Sequence, residues 1–163
     1  MTAPDDLHKD TVAVVTGGTQ GLGYAIAERL IAEGCGWIVI TGRGVAKGEA
    51  AAAALRAAGA DVVFVAADMG RAEDAISLID RAAQRFGQVT ALVNAAASTD
   101  RASILTATPQ EWDRLMAVNA KGPFFALQRL AQLAVAGGHP AAAVNILSMV
   151  VHCGQSFLAP YAA

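Results

Sequence analysis

The chain has 163 residues, of which 55% are hydrophobic and 16% charged, and a formal net charge of −2. That length suffices for one buried core, the charge gives no basic field to attract nucleic acid, and no apolar run reaches the roughly 18–20 residues of a membrane span. The first ten residues are polar with three acids, unlike a secretory signal, and Cys35 and Cys153 are too far apart for a metal-ligand motif, so the expectation is a cytoplasmic protein with reduced thiols.

In chain order, short Val- and Ile-rich runs alternate with helical patterns, the sign of βαβ units and a parallel sheet covered on both faces. A strand is predicted at Thr11–Thr16. It breaks into Thr16-Gly17-Gly18-Thr19-Gln20-Gly21-Leu22-Gly23 and restarts as a helix with Leu22, Ile26 and Leu30 on one face, stopping at Gly34. Strands are predicted next at Trp37–Thr41 and Val62–Ala66, with an alanine-rich helix, Lys47 to Ala58, between them. A third helix, Ala72 to Phe86, carries Ala75, Ile76, Ile79, Ala83 and Phe86 on one stripe. After a strand at Val89–Asn94, Thr108, Pro109 and Glu111 form a capping-box signature. The helix they open runs to about Ala136, ahead of Gly137-Gly138, and a last strand is predicted at Ala143–Ser148. The fold class is α/β: a Rossmann-like doubly wound parallel sheet with helices on both faces, incomplete at its C-terminal side. Residues 1–163 read as one dinucleotide-binding domain.

A strand that turns through glycines into a helix builds an anion site from backbone amides. The spacing Gly17-x-x-x-Gly21-x-Gly23 differs from the common G-x-G-x-x-G fingerprint, and no Gly-Lys-Ser/Thr follows to make a phosphate loop of the Walker type. Thr41-Gly42-Arg43 closes the second strand where a carboxylate would grip a ribose 2′-OH. Arg43 suits a 2′-phosphate instead, so NADP(H) is favoured, with NAD(H) possible. Asp68-Met69 ends the third strand, where a carboxylate can accept from an adenine amino group, and the Asn94 amide can tie loops after the fourth. Asn119 lies seven residues after Trp112 and four after Leu115, hence on the same predicted helix face, toward the sheet.

Taken together, Thr16–Gly23, Asp68-Met69, Leu92-Val93-Asn94-Ala95-Ala96-Ala97, Asn119, Asn145-Ile146-Leu147-Ser148 and Tyr161 resemble the classical short-chain dehydrogenase/reductases, from Thr11 onward. The 13-residue interval from Ser148 to Tyr161 matches that family's catalytic spacing. The resemblance implies an oxidoreductase that moves hydride between NADP(H) and a carbonyl or secondary alcohol. Tyr161 would be its general acid/base, Ser148 would polarise the carbonyl, and Asn119 would position a proton-relay water. It implies cofactor contacts from Thr16, Gly17, Thr19, Gln20, Gly21, Leu22, Gly23, Arg43, Asp68, Met69, Asn94, Ala95 and Ala96, and a homo-oligomer, dimer or tetramer, in the complete protein.

A phenol of ordinary pKa is about one part in a thousand ionised at neutral pH. The family corrects this with a lysine four residues after the tyrosine; here that is position 165, and the chain ends at 163, so it reads as truncated. The family's Asn-Asn-Ala-Gly also reads Asn94-Ala95-Ala96-Ala97, which deletes one amide and adds a methyl near the cofactor. Two alternatives stay open: a non-catalytic dinucleotide-binding module, and an inactive fragment. His8, His139 and His152 show no metal-ligand spacing, and Ser148 with His152 lacks the G-x-S-x-G elbow of a hydrolase.

Overall fold

The computed structural model describes residues 7–99 and 101–163. The polar N-terminal stretch and the loop after the fourth strand each fall partly outside them. Five strands, β1 (Val12–Thr16), β2 (Trp37–Gly42), β3 (Asp61–Ala66), β4 (Ala91–Asn94) and β5 (Ala142–Asn145), form one parallel sheet in the order β3-β2-β1-β4-β5. The chain steps outward from β1 to β3, then returns to place β4 on the other side of β1. That reversal opens a crevice beyond the carboxyl ends of β1 and β4.

Strand residues alternate between two cores. Ala13, Val15, Ile38, Ile40, Val62 and Phe64 pack with Ala27 of α1 (Gly21–Ala32) and Ala52 and Leu55 of α2 (Val45–Arg56). Val14, Val39, Val65 and Leu92 pack with Leu78, Ile79 and Ala82 of α3 (Ala72–Phe86) and with Ala126 and Leu130 of α5 (Gly122–Gly137). Helices on both faces explain why the strands read as continuous apolar runs. Between α3 and α5, α4 (Pro109–Met116) starts at the expected capping box: Thr108 Oγ1 accepts from Glu111 N at 3.2 Å, and Glu111 Oε2 accepts from Thr108 N at 2.9 Å. A short α6 (Ala159–Ala162) follows a 3₁₀ turn, Met149–His152.

Several local expectations shift. The buried face of α1 is Gly23 and Ala27, whereas Leu22 is exposed, because small residues let that helix sit close on β1. The stripe of α3 is rotated toward Leu78 and Ala82, leaving Ile76 and Phe86 at its half-buried margin. The predicted long helix from Thr108 is broken at Ala117–Lys121 by a turn of π-helix. That wide turn resets the 3.6-residue phase. Within α4, ahead of that turn, Leu115 is fully buried while Trp112 is 44% exposed, so the shared inward face assigned to Trp112, Leu115 and Asn119 does not hold. The fifth strand ends at Asn145 rather than Ser148.

Among the described residues, no helix is long and apolar enough to cross a membrane. The two thiols differ sharply. Cys35 is buried, and burial pushes its pKa up, while Cys153 is exposed. Since the thiolate is the reactive species, a chromogenic disulfide reagent is expected to release one equivalent quickly from folded protein and a second only in denaturant. Two fast equivalents would contradict this placement of Cys35.

Candidate functional site

The crevice at the carboxyl ends of the strands is a cleft of about 720 Å³. One wall is the turn between β1 and α1, with Gly17, Thr19, Gln20, Gly21, Leu22 and Gly23 all lining it. Gly17 has φ +67°, and a Cβ there would lie 2.9 Å from the Ala96 Cα and N. Only glycine lets the turn approach the β4 exit this closely. The far end is lined by Thr41, Gly42, Arg43 and Lys47, and the remaining walls by Asp68 and Met69, Ala95 to Ser98, Arg114 and Val118.

Eleven of the thirteen sequence-predicted cofactor residues line this space, and the other two, Thr16 and Asn94, do not. Thr16 and Asn94 are buried behind the cleft. Thr16 Oγ1 accepts from the backbone N–H groups of Ala95 at 3.1 Å and Ala96 at 3.0 Å, pinning the β4 exit to β1. Asn94 Nδ2 donates to Asn145 Oδ1 at 2.9 Å and joins β4 to β5, while its own buried Oδ1 has no hydrogen-bond partner among the described residues. Asp68 shapes the turn into α3: its Oδ1 accepts from Gly70 N at 2.9 Å, and its N–H donates to Asp74 Oδ2 at 2.9 Å. Met69 is buried in the core beneath.

The three residues expected to be catalytic lie outside the lining of this cleft. Asn119 sits within the π turn, and its side chain is spent on one backbone position. Its Oδ1 accepts from Ser98 N and its Nδ2 donates to Ser98 O, both at 2.8 Å. Ser148 caps the 3₁₀ turn, its Oγ accepting from Val150 N at 3.3 Å. That bond uses an acceptor lone pair and leaves the hydroxyl proton to donate. Tyr161 is partly buried on α6, which packs against both the 3₁₀ turn and α4. The Ser148 turn and the Tyr161 helix are thus neighbours. The segments around Ala102 and Leu158 are also joined: Ala102 bridges Leu158, Ala159 N donates to Ala102 O at 3.0 Å, and the Arg101 guanidinium lies 5.2 Å from the Phe157 ring centre.

Sequence reasoning missed several residues of the lining, among them Lys47, Arg71 and Arg114. Lys47 left a usable trace, four positions after Arg43 in the first turn of a helix. Arg114 left none, since it is fixed by a contact 16 residues back: its Nη1 donates to Ser98 Oγ at 2.6 Å.

The family pattern described as short chain dehydrogenase matches residues 11–163. The chain belongs to the short-chain dehydrogenase family. Within it, an NADP-dependent (R)-specific alcohol dehydrogenase of Lentilactobacillus kefiri is 37% identical over 157 residues, which are 96% of this chain and 61% of that protein. A sorbitol dehydrogenase of Cereibacter sphaeroides is 30% identical over 152 residues, 93% of this chain and 57% of the relative. The crystal structure of a metagenomic short-chain oxidoreductase in complex with NADP matches at a TM-score of 0.86 and 30% identity, covering 95% of this chain and 69% of that one. This short-chain dehydrogenase chain therefore spans less than two thirds of the length of these two curated relatives.

Proposed function

We propose that this chain is the dinucleotide-binding part of an oxidoreductase that moves hydride between NADP(H) and a small carbonyl or secondary-alcohol substrate. The observation that carries the reading is the character of the cleft. Glycine backbone lines one wall, and at the end of β2, where a carboxylate would hold a 2′-hydroxyl, the chain presents Gly42 and an exposed Arg43. Among the described residues Arg43 makes no ion pair. The glycine turn, drawn too close to the Ala96 backbone at Gly17 to admit a Cβ, suits a pyrophosphate, and a guanidinium suits a phosphate monoester.

When bound, NADP(H) supplies or accepts the hydride. In this reading the amides of the β1–α1 turn hold the pyrophosphate, and Arg43 holds the 2′-phosphate. The Ser148 hydroxyl donates to the substrate oxygen, and the Tyr161 phenol gives or takes the proton there. Asn119 acts as a positioning residue: by gripping the Ser98 backbone it fixes the loop between the cleft and α4. Phe124, Leu127 and Val135, exposed on α5, support self-association into an oligomer.

Nucleotide fluorescence tests the reading. The chain is expected to bind NADPH more tightly than NADH. Arg43→Ala is expected to weaken NADPH about tenfold, the loss of one charge-assisted contact, and to change NADH by less than about twofold. Equal affinities in the unaltered chain, or an equal loss for both nucleotides in the variant, would overturn the NADP(H) assignment.

A further inference from the structure

The β2–α2 connection and the glycine turn touch at two places. A Cβ on Gly42 would lie 2.8 Å from Thr19 Cγ2, so this backbone runs directly against the Thr19 side chain. One helical turn on, Lys47 Nζ donates to Gln20 Oε1, bringing an exposed ammonium from α2 across to the glycine turn. Arg43, Lys47, Thr19 and Gln20 all line the same end of the cleft.

The electrostatics of Lys47 are unusual for a residue in that place. It occupies the first turn of α2, which has no acidic residue and no side-chain cap. A cation there faces the positive end of the helix dipole. No carboxylate relieves it: Glu49, the nearest acid in sequence, pairs with Arg56 at 3.7 Å, and Lys47 has no ion pair among the described residues. Arg71, also in the lining, is by contrast matched by Asp74 at 3.5 Å. Two cations without counter-ions therefore flank one end of the cleft, one from each side of the Gly44 cap.

We infer that Lys47 is a second specificity-determining residue for the 2′-phosphate. It closes the site from the glycine-turn side while Arg43 closes it from the strand end. Its neutral partner Gln20 holds the ammonium at the rim without cancelling its charge. A dianionic phosphate monoester can accept from both cations, whereas a ribose 2′-hydroxyl gives Lys47 nothing to neutralise. The inference rests on the NADP(H) reading above and goes beyond it by naming which second side chain selects the phosphate.

The test is a fluorescence titration of the chain with NADPH and with NADH, for the unaltered protein, Lys47→Met, Lys47→Arg and Arg43→Ala. Lys47→Met is expected to raise the NADPH Kd about tenfold and to leave the NADH Kd within about twofold, with Lys47→Arg restoring most of the loss. The salt dependence of NADPH binding is expected to flatten in Lys47→Met, since one charge has left the site. If Lys47→Met weakens both nucleotides equally, the lysine only props Gln20 and the inference fails. If Arg43→Ala lowers the NADPH preference and Lys47→Met does not, the inference alone fails. If neither variant changes the preference, or the chain binds neither nucleotide, the NADP(H) reading fails with it.

Discussion

Tyr161→Phe is expected to lower the rate of NADPH oxidation in the presence of a ketone by about 10²–10⁴-fold, with the NADPH Kd within about twofold of the unaltered protein. The substitution removes one hydroxyl and keeps the ring. Tyr161 is partly buried on α6, and that helix packs against α4 and the turn capped by Ser148. A phenylalanine ring preserves this packing, so the loss belongs to proton transfer and not to folding. Tyr161 also lies outside the cleft lined by the glycine turn, which is why nucleotide affinity is expected to stay put. Steady-state absorbance at the nicotinamide band supplies the rate, and fluorescence the affinity. Equal turnover in the variant would remove Tyr161 from the chemistry. Binding of NADPH with no oxidation by the unaltered protein, across a panel of ketones, would favour the dinucleotide-binding module.

The second large effect concerns stability. Gly122 is buried at the start of α5, and a Cβ on it would lie 2.0 Å from the Met69 carbonyl oxygen and 3.0 Å from its carbon. Both atoms are backbone, just beyond the end of β3, so neither can swing aside as a flexible side chain would. Gly122→Ala must push α5 off the sheet or bend the segment that carries Asp68. Overpacking of this kind typically costs 1–3 kcal/mol, and the rigid partner places this case near about 3 kcal/mol. For a chain of this size that corresponds to a fall in Tm of roughly 6–12 °C. Thermal unfolding followed by circular dichroism checks it, and a shift below about 2 °C would mean that the approach of α5 to Met69 is looser than described.

The architecture was readable because its signals are local. Val12–Thr16 followed by the glycine turn announces a strand, an anion site and a helix within a dozen residues, and the capping box at Thr108 fixes a helix start. What failed depends on phase or on long-range contact. The π turn at Ala117–Lys121 leaves no mark in hydrophobic periodicity and shifts the phase between Leu115 and Asn119, while Trp112 reads as core only because its ring is large and apolar. Leu22 looked like core because it is large and apolar, but the close contact of α1 selects Gly23 and Ala27 instead. The family resemblance links Thr16 and Asn94 to the cofactor, and neither lines the cleft. Which way a side chain points at a strand end is decided by the neighbouring strand: Thr16 turns inward to hold the backbone of the β4 exit, and Asn94 to hold the Asn145 side chain. The spacing of Lys47 from Arg43 is local, but its contact with Gln20, 27 residues earlier in the chain, is not.

Three polar side chains, those of Thr16, Asn94 and Asn119, are spent on fastening loops to one another. Together they set the spacing between the β1 turn, the β4 exit and the segment around Ser98 in the free chain. A nucleotide arriving at such a frame meets backbone already in place. Most of the freedom lost on association is then the ligand's own, and the encounter need not wait for a slow rearrangement of the protein.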